Sequence, residues 1–383
     1  VPSAGSGGRA EADPTGAEGS TPVREDQPGA TGSRPESERI AVDISGHGFG
    51  HAGQLAPILA ELRRRRPGVR LVVRSTLPTG ALEAILGGPL QRAEPPPDPC
   101  LVMHDPVNVD LAATRAAYAA LEAGFETLVE AEARRLRAVA PELLLANIGF
   151  VGLAAAALAG IPAVAIGSLN WADIAAAYDV ASSAMVERMR AAYRTARQTI
   201  LLSPHLPTRW LDRRVSVGPV ARVGRPRRAE LRAALGLAPD MLLGLVAFGG
   251  IDGAERLATL TAIDGVAWLA DRVERPGMLS TRGVDLPFPD LLASVDFVIT
   301  KTGYGTFAEA AAAGVPVLYR PRPDWPEAPW LEGWIREVGI GRPLPPDPDG
   351  IAALVGELRA APRPRPVPPT GVADAVAILE RRL

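Results

Sequence analysis

Lysine is almost absent from this chain. Of its 41 basic residues only Lys301 is a lysine, and the other forty are arginine. Cysteine is limited to Cys100, which excludes an internal disulfide and a cluster of thiolate metal ligands. Histidine occurs four times, and aromatic residues make up only 5% of the chain. No stretch of about 18 residues is free of charge and helix breakers, so no membrane span is expected. No basic segment leads into an apolar run at the start, so no secretory leader is expected. The net charge of −2 gives no reason to expect nucleic acid or an anionic membrane as partner. One cysteine and no leader fit a reducing compartment, and a cytoplasmic location is the expectation. The excess of arginine over lysine, with abundant Ala, Gly and Pro, reads as a GC-rich bacterial coding bias.

What is there suggests two folded units. A chain of 383 residues exceeds one ordinary core and divides into domains of roughly 150 to 180 residues. An apolar content of 47% is enough to fill them. Residues 1–38 are Gly, Ser, Pro, Glu and Thr with almost no large apolar side chain, and read as a disordered tail. Order is predicted to begin at ERIAVDIS, a strand. A helix follows, then the strand LVVRS, the helix LPTGALEAIL, one long amphipathic helix over roughly 111–139 and the strand ELLLAN. The helix FVGLAAAALAG and the strand IPAVAIGS continue the pattern. Alternating strands and helices indicate an α/β domain with a parallel sheet, here 39–202. The Pro- and Arg-rich stretch 203–226 reads as a linker. The alternation restarts over 227–365, and 366–383 carries a last helix. Two such domains would face a cleft, with ligands at the carboxyl ends of the strands.

The second half holds the stretch DFVITKTGYGTFAE, a strand, then Lys301, Thr302, Gly303, Tyr304, Gly305 and Thr306, then a helix. Glycines admit an anion close to the backbone, and a helix start offers unpaired N–H groups with a positive dipole end. Lys301 adds charge, and Thr302 and Thr306 add hydroxyls. Gly249 and Gly250 close an earlier strand and would open on the same edge. The competing reading is a tight turn with no ligand. Glu309, one helical turn in, cannot favour a phosphate but could accept hydrogen bonds from a ribose diol. A solvated or dipole-compensating carboxylate is the alternative.

The first half offers GHGFGH, a short loop between strand and helix with His47 and His51. A histidine there could take a proton from an acceptor near neutral pH, or merely cap the helix. A metal pair has no third ligand in view. His104 and Asp105 follow the strand-like CLVM, and Trp171 and Asp173 follow AVAIGS. Both groups should open on the cleft, where Trp171 could stack on a flat group or pack at the edge of the core.

KTGYGTFAEAAAAGVPVLYRP resembles the donor loop of GT-B nucleotide-sugar glycosyltransferases, and GHGFGHA, SLNWADIAAAY and VDLPFPDLLASVDFVITKTGYGT fit the same relatives. The chain is similar to the lipid-II-forming N-acetylglucosaminyltransferases and in particular to the glycosyltransferase-like half of plant arabinose kinases, over about residues 39–380. The resemblance implies an α/β GT-B fold of two Rossmann-like parallel-sheet domains, acceptor on the first and nucleotide sugar on the second. It places the diphosphate on Gly303, Tyr304, Gly305 and Thr306, with Gly249 and Gly250 on the other phosphate-side loop. Glu309 falls on the ribose, and Asp324 and Glu327 fall on the donor sugar. His51 matches the general base better than His47, because it directly precedes the predicted helix. Sugar transfer to a small-molecule acceptor, by inversion and with no metal or other cofactor, is the implied chemistry. A monomer or homodimer is expected, and no sugar-kinase activity, since the kinase half is not matched.

Two positions depart from the relatives. Asn147 ends the strand where plant relatives carry the Asp that orients the base, and Gln54 stands where close relatives tend to carry Arg. An amide can fix a histidine tautomer but cannot stabilise an imidazolium. Asp105 or Asp173 could serve instead. The rivals are a nucleotide-sugar epimerase or hydrolase on the same fold, and a non-catalytic sugar-nucleotide binder. A dehydrogenase is disfavoured because GHGFGH lacks the GxGxxG spacing and LVVRS ends without an acidic residue.

Overall fold

The computed structural model describes residues 38–105, 107–248, 263–271 and 278–383. Residues 1–37 of the tail predicted over 1–38, and the predicted phosphate-side pair Gly249 and Gly250, lie outside the described residues.

Two parallel sheets organise these residues. The first contains β1 (Arg39–Ile44), β2 (Arg70–Arg74), β3 (Gln91–Ala93), β4 (Leu143–Asn147), β5 (Ala163–Gly167), β6 (Gln198–Leu202) and β7 (Arg214–Val217), in the order β3-β2-β1-β4-β5-β6-β7. Its helices are α1 (Gly50–Arg65), α2 (Thr79–Leu86), α3 (Leu111–Ala123), α4 (Phe125–Val139), α5 (Phe150–Ala159), α6 (Trp171–Ala177) and α7 (Ser183–Thr195). The second contains β8 (Leu242–Ala247), β9 (Val266–Ala270), β10 (Met278–Ser280), β11 (Phe297–Lys301), β12 (Val317–Arg320) and β13 (Gly341–Pro343), in the order β10-β9-β8-β11-β12-β13. With it go α8 (Arg228–Ala234), α9 (Phe288–Ser294), α10 (Tyr304–Ala313), α11 (Ala328–Glu337) and α12 (Pro348–Ala360), while the last helix, α13 (Gly371–Glu380), belongs with the first sheet.

Period-two burial explains why the strands are apolar throughout. Ile40, Val42 and Ile44 of β1 join Leu55, Ile58, Leu59 and Leu62 of α1 on one face, while Ala41 joins α4 and α5 residues on the other. Both faces are covered, as parallel sheets with crossover helices require. Arg74 looks out of place in such a strand. It is fully buried and bridges Asp43 of β1 (2.6 Å) and Glu132 of α4, so a charge at the end of β2 is accounted for structurally.

Each sheet reverses its strand order once, between β1 and β4 and between β8 and β11. Loops leaving the two strands of a reversal diverge to opposite sides and open a crevice at the carboxyl edge. The β1–α1 loop and Asn147 at the end of β4 share the first crevice. The β11–α10 loop, starting at Lys301, lies at the second.

Two sequence expectations change. The single helix over 111–139 is two helices, α3 and α4, broken at Gly124. The stretch assigned as a linker contains β7, which pairs in parallel with β6 and extends the first sheet. Its short sequence, RVSV, is that of a partly exposed edge strand, and the Pro- and Arg-rich stretch around it hid it. After β7 the chain passes to the second sheet. It returns after α12, where α13 packs against α1 and β7 of the first. Among the described residues no helix is long and apolar enough to cross a membrane.

Candidate functional site

The two carboxyl edges meet. A Cβ added to Gly305, in the first turn of α10, would lie 3.9 Å from the Cα of Gly50, which opens α1. Neither helix has a side-chain cap or an acidic residue in its first turn. Two uncapped positive dipole ends therefore face each other. That arrangement is unfavourable by itself and favourable around an anion.

His51 is the second residue of α1 rather than the residue before it, because the helix begins at Gly50 with Phe49 as backbone N-cap. The turn into it is made at Gly48, whose φ of +73° suits glycine. His51 is 7% exposed, and burial pulls its proton affinity down, to a pKa of about 4, against the hydrogen bond to Asn147. Its Nδ1 lies 2.7 Å from Asn147 Oδ1, so Nε2 is the ring nitrogen left for a substrate. His47 stands beside it, edge-on to Trp171 (5.3 Å) and stacked on Trp325 of the second half (6.2 Å, 8° between planes). Burial first, then the charges of His51, Lys301 and Arg322, take His47 down to about 3. Both rings are neutral at physiological pH.

Lys301 ends β11. Burial, and next the charge of Arg322, lower it from 10.5 to about 8, with Asp105 opposing. Two cations are thus gathered at one place, a state that an anion would relieve. Asp105 also shapes its own loop, accepting from the backbone of Val107 and from Asn108.

Several predicted residues are elsewhere engaged. Thr302 is buried, and its hydroxyl donates to Glu332 at 2.7 Å, so it is not free for a phosphate. The Tyr304 ring points away from the helix start. Its hydroxyl donates to Ser203 O and accepts from Val220 N, both at 3.0 Å. Glu309 is 5% exposed and held by Arg222 at 2.6 Å. Trp171 is fully buried beneath the two histidines and offers no face to an acceptor. Asp173 accepts from the Trp210 indole at 2.9 Å and from Asn170, and does not reach His51. His104 is exposed beside Asp110, 3.6 Å away. Asp324 accepts from Tyr178 at 3.3 Å, across the junction of the halves. Gly303, Gly305 and Thr306 remain at the open start of α10. Glu327 is buried, and burial raises its carboxyl to about 7 against the pull of Ser168, Trp325 and Arg322. Among the described residues no three His, Cys, Asp or Glu side chains converge as a metal would need.

Sequence reasoning missed Arg322 and Trp325. Arg322 is 3% exposed, lies 4.4 Å over the Trp325 ring and donates to Val107 O across the junction. The signal was the position of RPRPDW, directly after a strand that neighbours the glycine loop.

No protein-family model matches the chain. The chain is 27% identical over 317 residues to the L-arabinokinase of Arabidopsis thaliana, which covers 79% of this chain but only 30% of the plant protein's length. It is 28% identical over 313 residues to a Nocardioides UDP-N-acetylglucosamine–N-acetylmuramyl-(pentapeptide) pyrophosphoryl-undecaprenol N-acetylglucosamine transferase, covering 72% of this chain and 77% of that protein. Among solved structures, the glycotransferase of kitacinnamycin superposes with a TM-score of 0.59 at 16% identity, over 91% of this chain and all of that one. The fold is GT-B, and the bacterial relative and the solved structure are a sugar transferase and a glycotransferase.

Proposed function

We propose that this glycosyltransferase moves a sugar from a nucleoside diphosphate to a small-molecule acceptor, with inversion and without a metal ion. One observation carries the reading. A helix that bears a neutral histidine in its first turn faces, N-terminus to N-terminus, a helix preceded by a half-buried lysine whose proton affinity is lowered. The acceptor hydroxyl would give its proton to His51 Nε2 as its oxygen attacks the anomeric carbon. The bond from that carbon to the diphosphate oxygen breaks on the opposite side, which inverts the centre. Charge then builds on the leaving diphosphate, beside the backbone N–H groups of Gly305 and Thr306 and the Lys301 ammonium. Donors fixed in advance at a developing charge lower the barrier without reorganising. That supplies electrostatically what a divalent cation would otherwise provide. Asp324 would lie on the sugar side, whereas Glu309 and Glu327 are buried against Arg222 and the Trp325 indole and would act on the donor only through those partners.

A second reading is a non-catalytic sugar-nucleotide binder, favoured by one feature: the partner of His51 is an amide and not a carboxylate. The test is a thermal-shift panel of UDP, GDP, dTDP, ADP and CDP on the wild type and Lys301→Ala. The sugar nucleotide of the stabilising base is then incubated with candidate acceptors. A ligand at 100 times its dissociation constant adds about 2.7 kcal/mol to stability. Stabilisation by one diphosphate that Lys301→Ala weakens, with turnover lost in His51→Ala, is expected. Tight binding of intact donor with no turnover would favour the binder, and no shift with any diphosphate would end both readings.

A further inference from the structure

The loop between β12 and α11 reads RPRPDWPEAP, residues 320–329. Prolines stand at 321, 323, 326 and 329, and each fixes its own φ and restricts the residue before it. The loop is therefore stiff. Two turns close it further, Trp325 N to Arg322 O and Ala328 N to Trp325 O, both at 2.9 Å. What it presents is an indole. Trp325 belongs to the second half by sequence, yet it is 5% exposed and packs in the core of the first, in one cluster with Trp171 and Ile174. Its N–H is met inside the loop by Glu327 Oε2 at 3.3 Å, so it takes no unsatisfied donor into that core.

The first half holds this loop from three places. His47, in the β1–α1 loop, stacks on the indole at 6.2 Å with 8° between planes. Tyr178, just after α6, lies 6.4 Å from the indole, and its hydroxyl donates to Asp324 at 3.3 Å. Arg322, 4.4 Å over the same indole, donates to Val107 O at 3.3 Å in the loop before α3.

The stack on His47 brings Trp325 to the centre of the site. Trp171 lies 5.3 Å from His47 and 5.9 Å from His51, so both histidines rest on one indole from the first half. Trp325 closes the pair from the second half. His51 is left 7% exposed, although its Nε2 is the nitrogen available to a substrate. A base that takes a proton from an acceptor hydroxyl can equally take one from water. Water is smaller than any acceptor and far more abundant, so access decides between them.

We propose that Trp325 is a specificity residue that shuts water away from His51, so that the sugar passes to the acceptor and not to water. The inference rests on the reading of His51 as the base of a glycosyltransferase. The reaction it suppresses is hydrolysis of the donor. There a water oxygen bonds to the anomeric carbon, the bond from that carbon to the diphosphate oxygen breaks, and one water proton goes to His51 Nε2. The products are the free sugar and the nucleoside diphosphate. The half that would hold the donor also supplies the indole, so donor and seal stand against the histidines together.

Two measurements on the full chain test this. Hydroxyl-radical footprinting uses a probe the size of water and needs no donor. In the ligand-free wild type His51 and Trp171 should be protected, while the exposed His104 is oxidised. In Trp325→Ala both should become reactive. Trp268, in the core of the second sheet, should stay protected and show that the variant is folded. Trp325→Leu, which keeps an apolar side chain in the socket, should fall between, and carries the comparison if Trp268 opens in the alanine variant. The second measurement is release of nucleoside diphosphate from UDP-, GDP-, dTDP-, ADP- and CDP-glucose with no acceptor present. Release should be at background in the wild type and rise by about tenfold in Trp325→Ala. Unchanged protection of His51 and Trp171 in both variants would overturn the proposal. So would opened footprints with no added release from the glucose nucleotide whose diphosphate stabilises the chain. If no diphosphate stabilises it, the transferase reading fails, and the footprints alone still decide whether Trp325 is the seal.

Discussion

Arg222 holds Glu309 across the passage between the two halves, Nε to Oε1 at 2.6 Å. Arg222 lies in the stretch read from sequence as linker, and Glu309 was the residue expected on a ribose. Burial raises the Glu309 carboxyl above 4.5, and the Arg222 charge opposes it. Arg222→Ala leaves a buried carboxylate unpaired, at a cost of about 3 to 5 kcal/mol near neutral pH. A carboxyl whose folded pKa is raised contributes most below its unfolded value, and loses that contribution as pH rises through the folded value. Removing Arg222 raises it further. The deficit of the variant, from urea unfolding, should therefore grow as pH rises from the ordinary carboxyl range toward and past neutrality. Glu309→Gln in the same background should flatten that slope.

Lys301 titrates near 8 in the free protein. A diphosphate should bind the ammonium form, so affinity should fall as pH rises through that value. Calorimetric titrations from about pH 7 to about pH 9.5 should show the fall in the wild type and not in Lys301→Met. Stability of the free protein should move the other way. The unfolded chain holds more protons between about 8 and 10.5, so stability contributed by this group rises with pH there. Opposite slopes for binding and folding separate a ligand role from a packing role.

His51 loses its proton near pH 4 because it is buried and its partner is neutral. Asn147→Asp puts a charge at the same 2.7 Å contact. The His51 pKa should rise by roughly 1 to 3 units, the usual effect of an opposite charge at this distance. The acid limb of the pH–rate profile should move with it. A nitrogen-15 titration of His51 gives the same answer without an acceptor. An unmoved titration would mean that the side chain at 147 does not face the ring.

Tyr304→Phe removes a hydroxyl that satisfies two backbone groups, Ser203 O and Val220 N. Burying them unpaired should cost about 1 to 3 kcal/mol each in the worst case. The start of α10 is unchanged, so nucleotide affinity should survive when measured well below the melting temperature. A large loss of affinity with little loss of stability would return the Tyr304 side chain to the ligand.

The glycine loops were legible because their chemistry is local. GHGFGH and KTGYGT each pack turn, helix start and reactive side chain into six residues. Strand and helix types followed from period-two and period-3.6 patterns, and chain length with the break in the alternation at 203–226 supplied the two-domain plan. What was not legible depends on partners far apart in the chain. Gln54 was noted as a departure, but its bond to Ser168, 114 residues away, had no sequence signature. Trp171 read as a platform because indole suits one, and the fold buried it. Thr302 and Tyr304 had the right composition for a phosphate loop, yet neighbours in space claimed their hydroxyls. The strand β7 was hidden by the polarity of an edge.

The two passages of the chain between halves touch each other. Gly371 N donates to Pro219 O at 3.0 Å, and a Cβ on Gly371 would fall 2.0 Å from Gly218 O. Before that point Val367 is still bonded to α10, and after it α13 lies on α1, tied at its end by Arg65 to Glu380. Tyr304, at the start of α10, is bonded to Val220 N two residues from Gly218, so the glycine loop of the second half is anchored beside this doubled crossing and its place against α1 is set there.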